Sequence, residues 1–390
     1  MGAKTLGTVH VVVAAGRWNH DRLRYRRHRL AEFLQNETRE GKVIWLCPVP
    51  DKKEPERRRL PNGIIEWAIP DLFPNKIFRF GRYIDFFYEK KLRAFLDELE
   101  REKAGKYYLW YTFPGFPALS ELFPWDKTVY DCSDLWSYPM EGRQTAVSFL
   151  RRKVVQQAED RVIHKAGTIF CTSDYLYSQV LNRLGPDRVP HVHTLENGVE
   201  FAAFAGVEKR NGAPVSHSGT VFGYIGGIKP KLDFKLIQKT AERHPEWLFF
   251  LVGPDGTGRS DEFRRLLQTK NVVWKGSIPP AEVPAYMQMI DVGVMPYKPT
   301  SYNAAVFPLK LFEFLAAGKP VVGAHLPSTK KYAAEGIYAY TESDDPEDFM
   351  RLCQKMAEES ADEVYRQARI RLARSKNWNG IFREMVEKVN

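Results

Sequence analysis

The sequence predicts an α/β protein built as two doubly wound parallel sheets that face each other across a cleft. Three observations predict it. Short apolar runs alternate with helix-periodic segments, the pattern of parallel strands joined by crossover helices. The alternation breaks once, over about residues 201–219, at the polar, Gly- and Pro-containing stretch "AAFAGVEKRNGAPVSHSGT". A chain of 390 residues also exceeds what one hydrophobic core ordinarily serves.

The elements follow in order. "TVHVVVAA" reads as a first strand and 20–36 as its helix. "KVIWLC" and "GIIEWAI" are strands, followed by a helix over 82–103. "KYYLWY" and "KTVYDC", a long helix over 142–166, "GTIFCTS" and "HVHTL" complete an N-terminal domain, 1–200. After the linker, 201–219, the alternation restarts with "TVFGYIGG", a helix over 231–243 and "WLFFLVGP". Helix 261–269, "NVVWKG", helix 281–290, "DVGVMPY", "VFPLKLFEFLAAGKPVV" and "IYAY" complete a second domain, 220–360. The remainder, 361–390, is expected to form a helix that crosses back to the first domain, with Trp378, Ile381 and Phe382 able to pack.

Composition narrows the function classes. At 44% hydrophobic and 27% charged the chain is globular, and no run approaches the roughly 18 apolar residues of a membrane span. The first strand is too short for a signal-peptide core, and Leu6 stands where a myristoylation signal wants Ser or Thr. The expected location is the cytoplasm, free or peripheral on the inner face of the plasma membrane. Four scattered cysteines form no C-x-x-C and no zinc spacing, and read as reduced structural thiols. A net charge of +10 calls for an anionic partner.

Two segments of the second domain carry candidate chemistry. In "FGYIGGIKPKLDF" a strand ends at Gly226 and Gly227 and a helix is expected near Pro230. Such glycines let a backbone approach a ligand, and the helix N-terminus offers N–H groups to an anion; alone, the pair serves equally well as a plain turn. In 306–322, Phe307, Leu311, Phe314 and Leu315 recur at helical spacing, while Lys310 and Glu313 share one face. They are either a structural ion pair or ligand groups, Lys310 for a diphosphate and Glu313 for two vicinal ribose hydroxyls. A buried ion pair adds little stability, and the glycine turn favours the ligand reading.

In the first domain, Asp131 and Asp134 stand at the end of "KTVYDC", at the carboxyl edge of the sheet, as candidates for a general base. Asp134 is preferred, since Asp131 abuts the strand and suits a turn cap; both capping turns is the alternative. His20 and Asp21, after the first strand, come next. "RWNHDRLRYRRH" gathers Arg17, Arg22, Arg24, Arg26 and Arg27, and 73–93 interleaves aromatics with cations. An anionic membrane surface suits both, a solvated helix face being the alternative for 82–93.

These segments also carry a resemblance. "PLKLFEFLAAGKPVV", "NVVWKGSIPPAEVPAYMQMIDVGVMPY", "FGYIGGI" and "ENGVEF" resemble the C-terminal half of bacterial GT-B glycosyltransferases of the family-four type. "VYDCSDLWS" and "AEDRVIHKAGTIFCTSDYL" resemble the N-terminal half of a subgroup, the teichuronic acid biosynthesis glycosyltransferases of Gram-positive bacteria. The resemblance implies a UDP-sugar held by the second domain and a lipid-linked or polymeric glycan acceptor held by the first. It places ribose on Glu313, diphosphate on Lys310, Lys229 and the backbone of Gly226 and Gly227, and the base on the backbone at Gly276, Ser277 and Ile278. Asn303, Val306 and Phe307 complete the implied donor site. Many members carry a second Glu eight residues before the ribose Glu, where this chain has Ala305, so the choice of inverting or retaining transfer stays open, and the resemblance suggests glucuronic acid or an N-acetylhexosamine as the sugar. With an Asp-x-x-Asp but no Asp-x-Asp, neither a metal nor another cofactor is expected. A sugar-nucleotide epimerase is the competing enzyme. A nucleic-acid-binding protein is disfavoured, because no RNP, KH, helix-turn-helix or zinc pattern appears.

Overall fold

The computed structural model describes residues 7–20, 23–37, 41–50, 53–71, 80–140, 146–185, 191–207, 218–258 and 260–390. They form two compact units: 1–139 with 143–196 and 382–390, and 197–381 with 140–142.

In the first unit the chain runs β1 (Thr8–Val13), α1 (Arg26–Glu37), β2 (Lys42–Val49), β3 (Glu56–Arg59), β4 (Ile65–Pro70), α2 (Asp85–Arg101) and β5 (Lys106–Tyr111). It continues through α3 (Leu119–Leu122), β6 (Lys127–Cys132), α4 (Ala146–Lys165), β7 (Thr168–Cys171), α5 (Asp174–Leu184) and β8 (Val192–Thr194). The eight strands lie in the order β3-β4-β2-β1-β5-β6-β7-β8. Every pairing is parallel except β3 with β4. Val11, Val12 and Val13 are fully buried, as a strand covered on both faces requires. Helix α2 buries Tyr88, Leu92, Phe95 and Leu99, an apolar stripe at spacings of four and three. Strand β3, "ERRR", has no apolar pattern; it is a charged antiparallel edge, held by Arg57 on Glu98 and Arg58 on Glu66. Chain order reverses between β1 and β5, so their carboxyl ends flank the crevice of this sheet.

The second unit contains α6 (Phe201–Phe204), β9 (Val221–Ile225), α7 (Phe234–Arg243), β10 (Leu248–Val252), α8 (Asp261–Leu266), β11 (Val272–Trp274) and α9 (Val283–Met287). Then come β12 (Val292–Pro296), α10 (Ser301–Ala305), α11 (Lys310–Ala316), β13 (Val321–Ala324), β14 (Tyr338–Thr341), α12 (Pro346–Glu358) and α13 (Glu363–Ser375). Six parallel strands take the order β11-β10-β9-β12-β13-β14, which puts the switch point between β9 and β12. Helix α11 packs directly onto β12: a Cβ at Gly293 would sit 2.5 Å from the Phe314 ring. Arg369, fully buried on α13, donates to the carbonyls of Gly336, Gly318, Ser360 and Glu359 and ties the end of α11 to α13.

Two boundaries differ from expectation. Residues 197–207 belong to the second unit rather than to a linker, because α6 packs on α11. Segment 361–390 is two helices, not one. Helix α13 stays with the second unit, and in α14 (Trp378–Val389) the change of unit falls between Ile381 and Phe382. Phe382 meets Phe33 with centroids 5.6 Å apart, and the Tyr108 hydroxyl donates to Asn390 at 3.1 Å. Residues 208–217, most of the expected linker, lie outside the described residues.

Candidate active site

The carboxyl ends of β9 and β12 bring the donor candidates of the second unit together. Gly226 and Gly227 follow β9 directly, and a Cβ at Gly226 would lie 2.7 Å from Lys310 Cε, so the Lys310 stem lies on the glycine turn. Its Nζ is 2.8 Å from Glu313 Oε2, each side chain about one-fifth exposed at 19%. Leu309, Lys310 and Glu313 are the half-exposed residues of a stretch otherwise buried from Ala305 to Ala317. The ammonium and carboxylate neutralise each other where both are partly exposed.

Tyrosines underlie the pair. The Tyr224 hydroxyl donates to the Gly227 carbonyl at 3.4 Å. Tyr297, at the end of β12, is hydrogen-bonded to Tyr224 and lies within electrostatic reach of Lys310 and Glu313; burial pushes its hydroxyl up. Lys231 holds its ammonium 5.1 Å above the Tyr297 ring. A second glycine clamps the turn from β10: Gly253, at φ +139°, approaches so closely that a Cβ there would fall 1.9 Å from the Gly226 oxygen. Gly253 N–H donates to the Gly276 carbonyl at 2.8 Å, which places the loop after β11 beside the turn. In that loop Gly276 has φ +82°, Ser277 is exposed and Ile278 half-buried. Lys229 is half-buried next to Gly256.

Several expected donor contacts fail. Gly226 N–H is spent on the Val252 carbonyl at 2.8 Å, extending the sheet; only Gly227 N–H has no hydrogen-bond partner among the described residues. Helix α7 begins at Phe234, not near Pro230, because the Asp233 side chain caps it through Leu236 N–H. A carboxylate therefore occupies the helix end expected to face an anion. Asn303 is fully buried and its amide nitrogen donates to the carbonyls of Lys231 and Lys298, so it braces the loop after β12. Val306 and Phe307 are core. Their carbonyls accept from Ser328 and from Asn197 at 2.7 Å, and the Phe307 ring packs on Phe312. The Asn of "ENGVEF" thus fixes the turn that launches α11.

In the first unit, Asp131 is unsuited to be a base. It is fully buried within β6, and both its oxygens lie 2.9 Å from Arg26 Nε; burial pushes its carboxyl up and Arg26 pulls it back. Asp134 is half-buried in the bend just after β6, and His20 is exposed in a turn after β1. The arginine cluster is largely structural. Arg26 is buried with Asp131 and donates to the Glu196 carbonyl, and Arg17 pairs with Glu56 and with fully buried Glu66. Arg24 and Arg27 are half-buried over Trp18 and Tyr25. Arg22 and Asp21 lie outside the described residues. Among the described residues no group of His, Cys, Asp and Glu has the arrangement of a metal site, and no helix is long and apolar enough to cross a membrane.

The sequence reading missed Tyr224, Tyr297 and Gly253. The tyrosines read as ordinary strand residues. "VGPDG", a glycine ending β10, the strand beside β9, carried the signal for Gly253.

Two such sheets, with a cation and a carboxylate over a glycine turn at the second one's switch point, define a GT-B glycosyltransferase. Comparisons agree. The family Glycosyl transferases group 1 matches residues 220–359. Sucrose-phosphate synthase from Thermosynechococcus elongatus superposes with a TM-score of 0.74 at 15% identity, covering 97% of this chain and 98% of that one. HepE of Anabaena, solved in complex with UDP-glucose, gives 0.68 at 13% identity, covering 98% of each. The Bacillus subtilis (strain 168) protein TuaH, provisionally named a teichuronic acid biosynthesis glycosyltransferase, is 50% identical over 385 residues, 97% of this chain and 96% of TuaH. The chain belongs to the GT-B glycosyltransferases of the family-four type, in company with TuaH.

Proposed function

We propose that this glycosyltransferase moves a sugar from a UDP-sugar to a hydroxyl of a lipid-linked or polymeric cell-envelope glycan, teichuronic acid being the polymer. The carrying observation is the Lys310–Glu313 pair laid on the Gly226–Gly227 turn. Glu313 accepts from the ribose hydroxyls, Lys310 and Gly227 N–H meet the diphosphate with Lys229 near, and the backbone at 276–278 meets the uracil. As the glycosidic phosphate bond breaks, negative charge grows on the departing UDP. Lysines fixed before the reaction stabilise that charge with little reorganisation, without calling on a metal. The acceptor sits on the first unit, with Asp134 taking its hydroxyl proton and His20 as the reserve candidate. The name of TuaH and the UDP-glucose bound by HepE support polymer and donor class. We take glucuronic acid as the transferred sugar.

The test is a thermal-shift screen of UDP-glucuronic acid, UDP-glucose and UDP-N-acetylhexosamines, followed by UDP release with and without an envelope-glycan acceptor. A ligand at one hundred times its Kd adds about 2.7 kcal/mol. Stabilisation by UDP-glucuronic acid and acceptor-dependent UDP release are expected. Absence of stabilisation by any uridine nucleotide overturns the donor site, and UDP-glucose outranking UDP-glucuronic acid overturns the sugar.

A further inference from the structure

At the crevice of the first sheet the backbone is closed off, and aromatic rings take its place. The loop after β5 is buried throughout 112–118. The Phe113 ring is folded onto that loop: a Cβ at Gly115 would lie 2.2 Å from its Cε1. Two half-buried rings lean on Phe113. Tyr83 has its centroid 5.8 Å away, and its neighbour Arg82 accepts from Phe116 N–H at 2.7 Å. Trp136, in the loop after β6, lies 5.3 Å away and nearly perpendicular. The Trp136 indole N–H is buried and has no partner among the described residues. A stranded donor costs about 1–3 kcal/mol, and a phenylalanine would rest on Phe113 without it. The fold alone therefore does not ask for an indole here; what tryptophan adds is a broad, electron-rich face.

The same loop carries the candidate base and borrows a cation. Asp134 stands two residues before Trp136 and Tyr138 two after, where the Tyr138 N–H closes a turn on the Leu135 carbonyl at 3.1 Å. Arg152 of α4 donates to the Tyr138 hydroxyl and holds its guanidinium 4.1 Å from the centre of that ring. Arg26, Arg82 and Arg183 are each neutralised by a carboxylate. Half-buried Arg152 has no carboxylate partner among the described residues. We propose that the turn 134–138 binds the terminal sugar of an acidic glycan, with a C–H face of the ring on Trp136 beside Tyr83 and its carboxylate on Arg152. The polarised C–H groups of a pyranose match the negative face of an indole, and the planar fork of an arginine matches a carboxylate through two hydrogen bonds. A neutral glycan would use the rings and leave Arg152 unanswered. The proposal rests on the reading of the first unit as the acceptor unit, with a sugar hydroxyl presented to Asp134.

The experiment titrates the full chain, with and without saturating UDP, against three probes. They are an unsulfated tetrasaccharide alternating glucuronic acid with N-acetylgalactosamine, its carboxyl-reduced counterpart, and inorganic phosphate. Wild type is expected to prefer the acidic tetrasaccharide by roughly tenfold or more, the worth of a charged hydrogen-bonded contact. Trp136→Ala should weaken both tetrasaccharides by about three- to tenfold, and Trp136→Phe should restore part of that loss. Arg152→Gln should erase the preference for the acidic form and leave the reduced one unchanged. UDP affinity should stay at its wild-type value in all three variants, which shows that they are folded. If Trp136→Ala binds as wild type does, or Arg152→Gln keeps the acid preference, the site is wrong while the acceptor reading stands. A wild type that binds neither tetrasaccharide overturns both. Inorganic phosphate binding more tightly than the acidic tetrasaccharide, and only while Arg152 is present, assigns the guanidinium to a phosphate and overturns the carboxylate.

Discussion

Replacing Glu313 by Ala separates the ligand reading of the Lys310–Glu313 pair from a purely structural one. The carboxylate is one-fifth exposed and 2.8 Å from Lys310 Nζ. As a charged acceptor for two ribose hydroxyls it is worth about 2–3 kcal/mol, which raises the Kd of uridine about 30- to 150-fold when lost. The same change releases Lys310 from a half-exposed pair worth about 0.5–1 kcal/mol, and that cation then serves the diphosphate more fully. UDP should therefore lose about two- to five-fold less affinity than uridine does. Calorimetric titration of UDP, uridine and 2′-deoxyuridine diphosphate on wild type, Glu313→Ala and Lys310→Ala reads all of these terms. Wild type should prefer UDP over its 2′-deoxy analogue, and Glu313→Ala should lose that preference. Lys310→Ala should weaken UDP and leave uridine nearly unchanged. If Glu313→Ala binds UDP like wild type, or keeps the 2′-hydroxyl preference, the carboxylate is not at the ribose and the pair is structural.

Gly253→Ala puts a Cβ 1.9 Å from the Gly226 oxygen at φ +139°, so the Gly226–Gly227 turn must move; UDP affinity should fall by roughly tenfold or more, and an unchanged titration would show the turn is not a ligand surface. Arg26→Ala strands the buried Asp131 carboxylate and should cost about 3–5 kcal/mol in denaturant unfolding, most of it recovered by Arg26→Met/Asp131→Leu. A stable but inactive Asp131→Leu in that double background would return Asp131 to the chemistry. Asp134→Asn should lower kcat while leaving the UDP titration unchanged; full activity refutes the base assignment. Burial lowers His10 from 6.5 to about 4 and His28 from 6.5 to about 3, the latter aided by Arg27 and Arg24. Both are buried neutral, so the unfolded chain binds more protons below about pH 6.5 and stability falls with pH in that window. At pH 5 each should cost about 2 kcal/mol. Trp110 touches His10, and Trp18 and Trp45 touch His28, so tryptophan emission during urea unfolding reads the loss. A flat profile from pH 7 to 5 contradicts it.

The parallel strands were legible because a strand buried on both faces must be mostly apolar, as 8–13, 42–49 and 248–252 are, with only Thr8, His10 and Lys42 as polar exceptions. Strand β3 was not legible, because an edge strand needs no apolar face and "ERRR" has none. The Lys310–Glu313 pair stood out as charge inside an apolar stripe, a local conflict that a site can create. The fate of Asp131 was hidden, since the cation that neutralises it, Arg26, is 105 residues away in the sequence. Asn303 and Val306 entered by resemblance alone, and their contacts with Lys231, Lys298 and Ser328 are not encoded in any local spacing, whereas the burial of Phe307 follows the apolar stripe it shares with Leu311 and Phe314. The start of α7 was misplaced because Pro230 is a good first helical residue, yet Asp233 is the better cap and won.

The division of α14 at Ile381 and Phe382 has a consequence for how the molecule comes into being. Residues 382–390 are needed to finish a unit whose first strand is Thr8–Val13, with Phe382 against Phe33 and Asn390 against Tyr108. During synthesis the first sheet emerges early but waits, with Phe33 and Tyr108 lacking these C-terminal contacts, while the entire second unit is translated. The second unit needs nothing beyond Ile381 and can close first. The domain begun first is thus the domain completed last, and a chain cut short by a few C-terminal residues should injure the first unit while leaving the second intact.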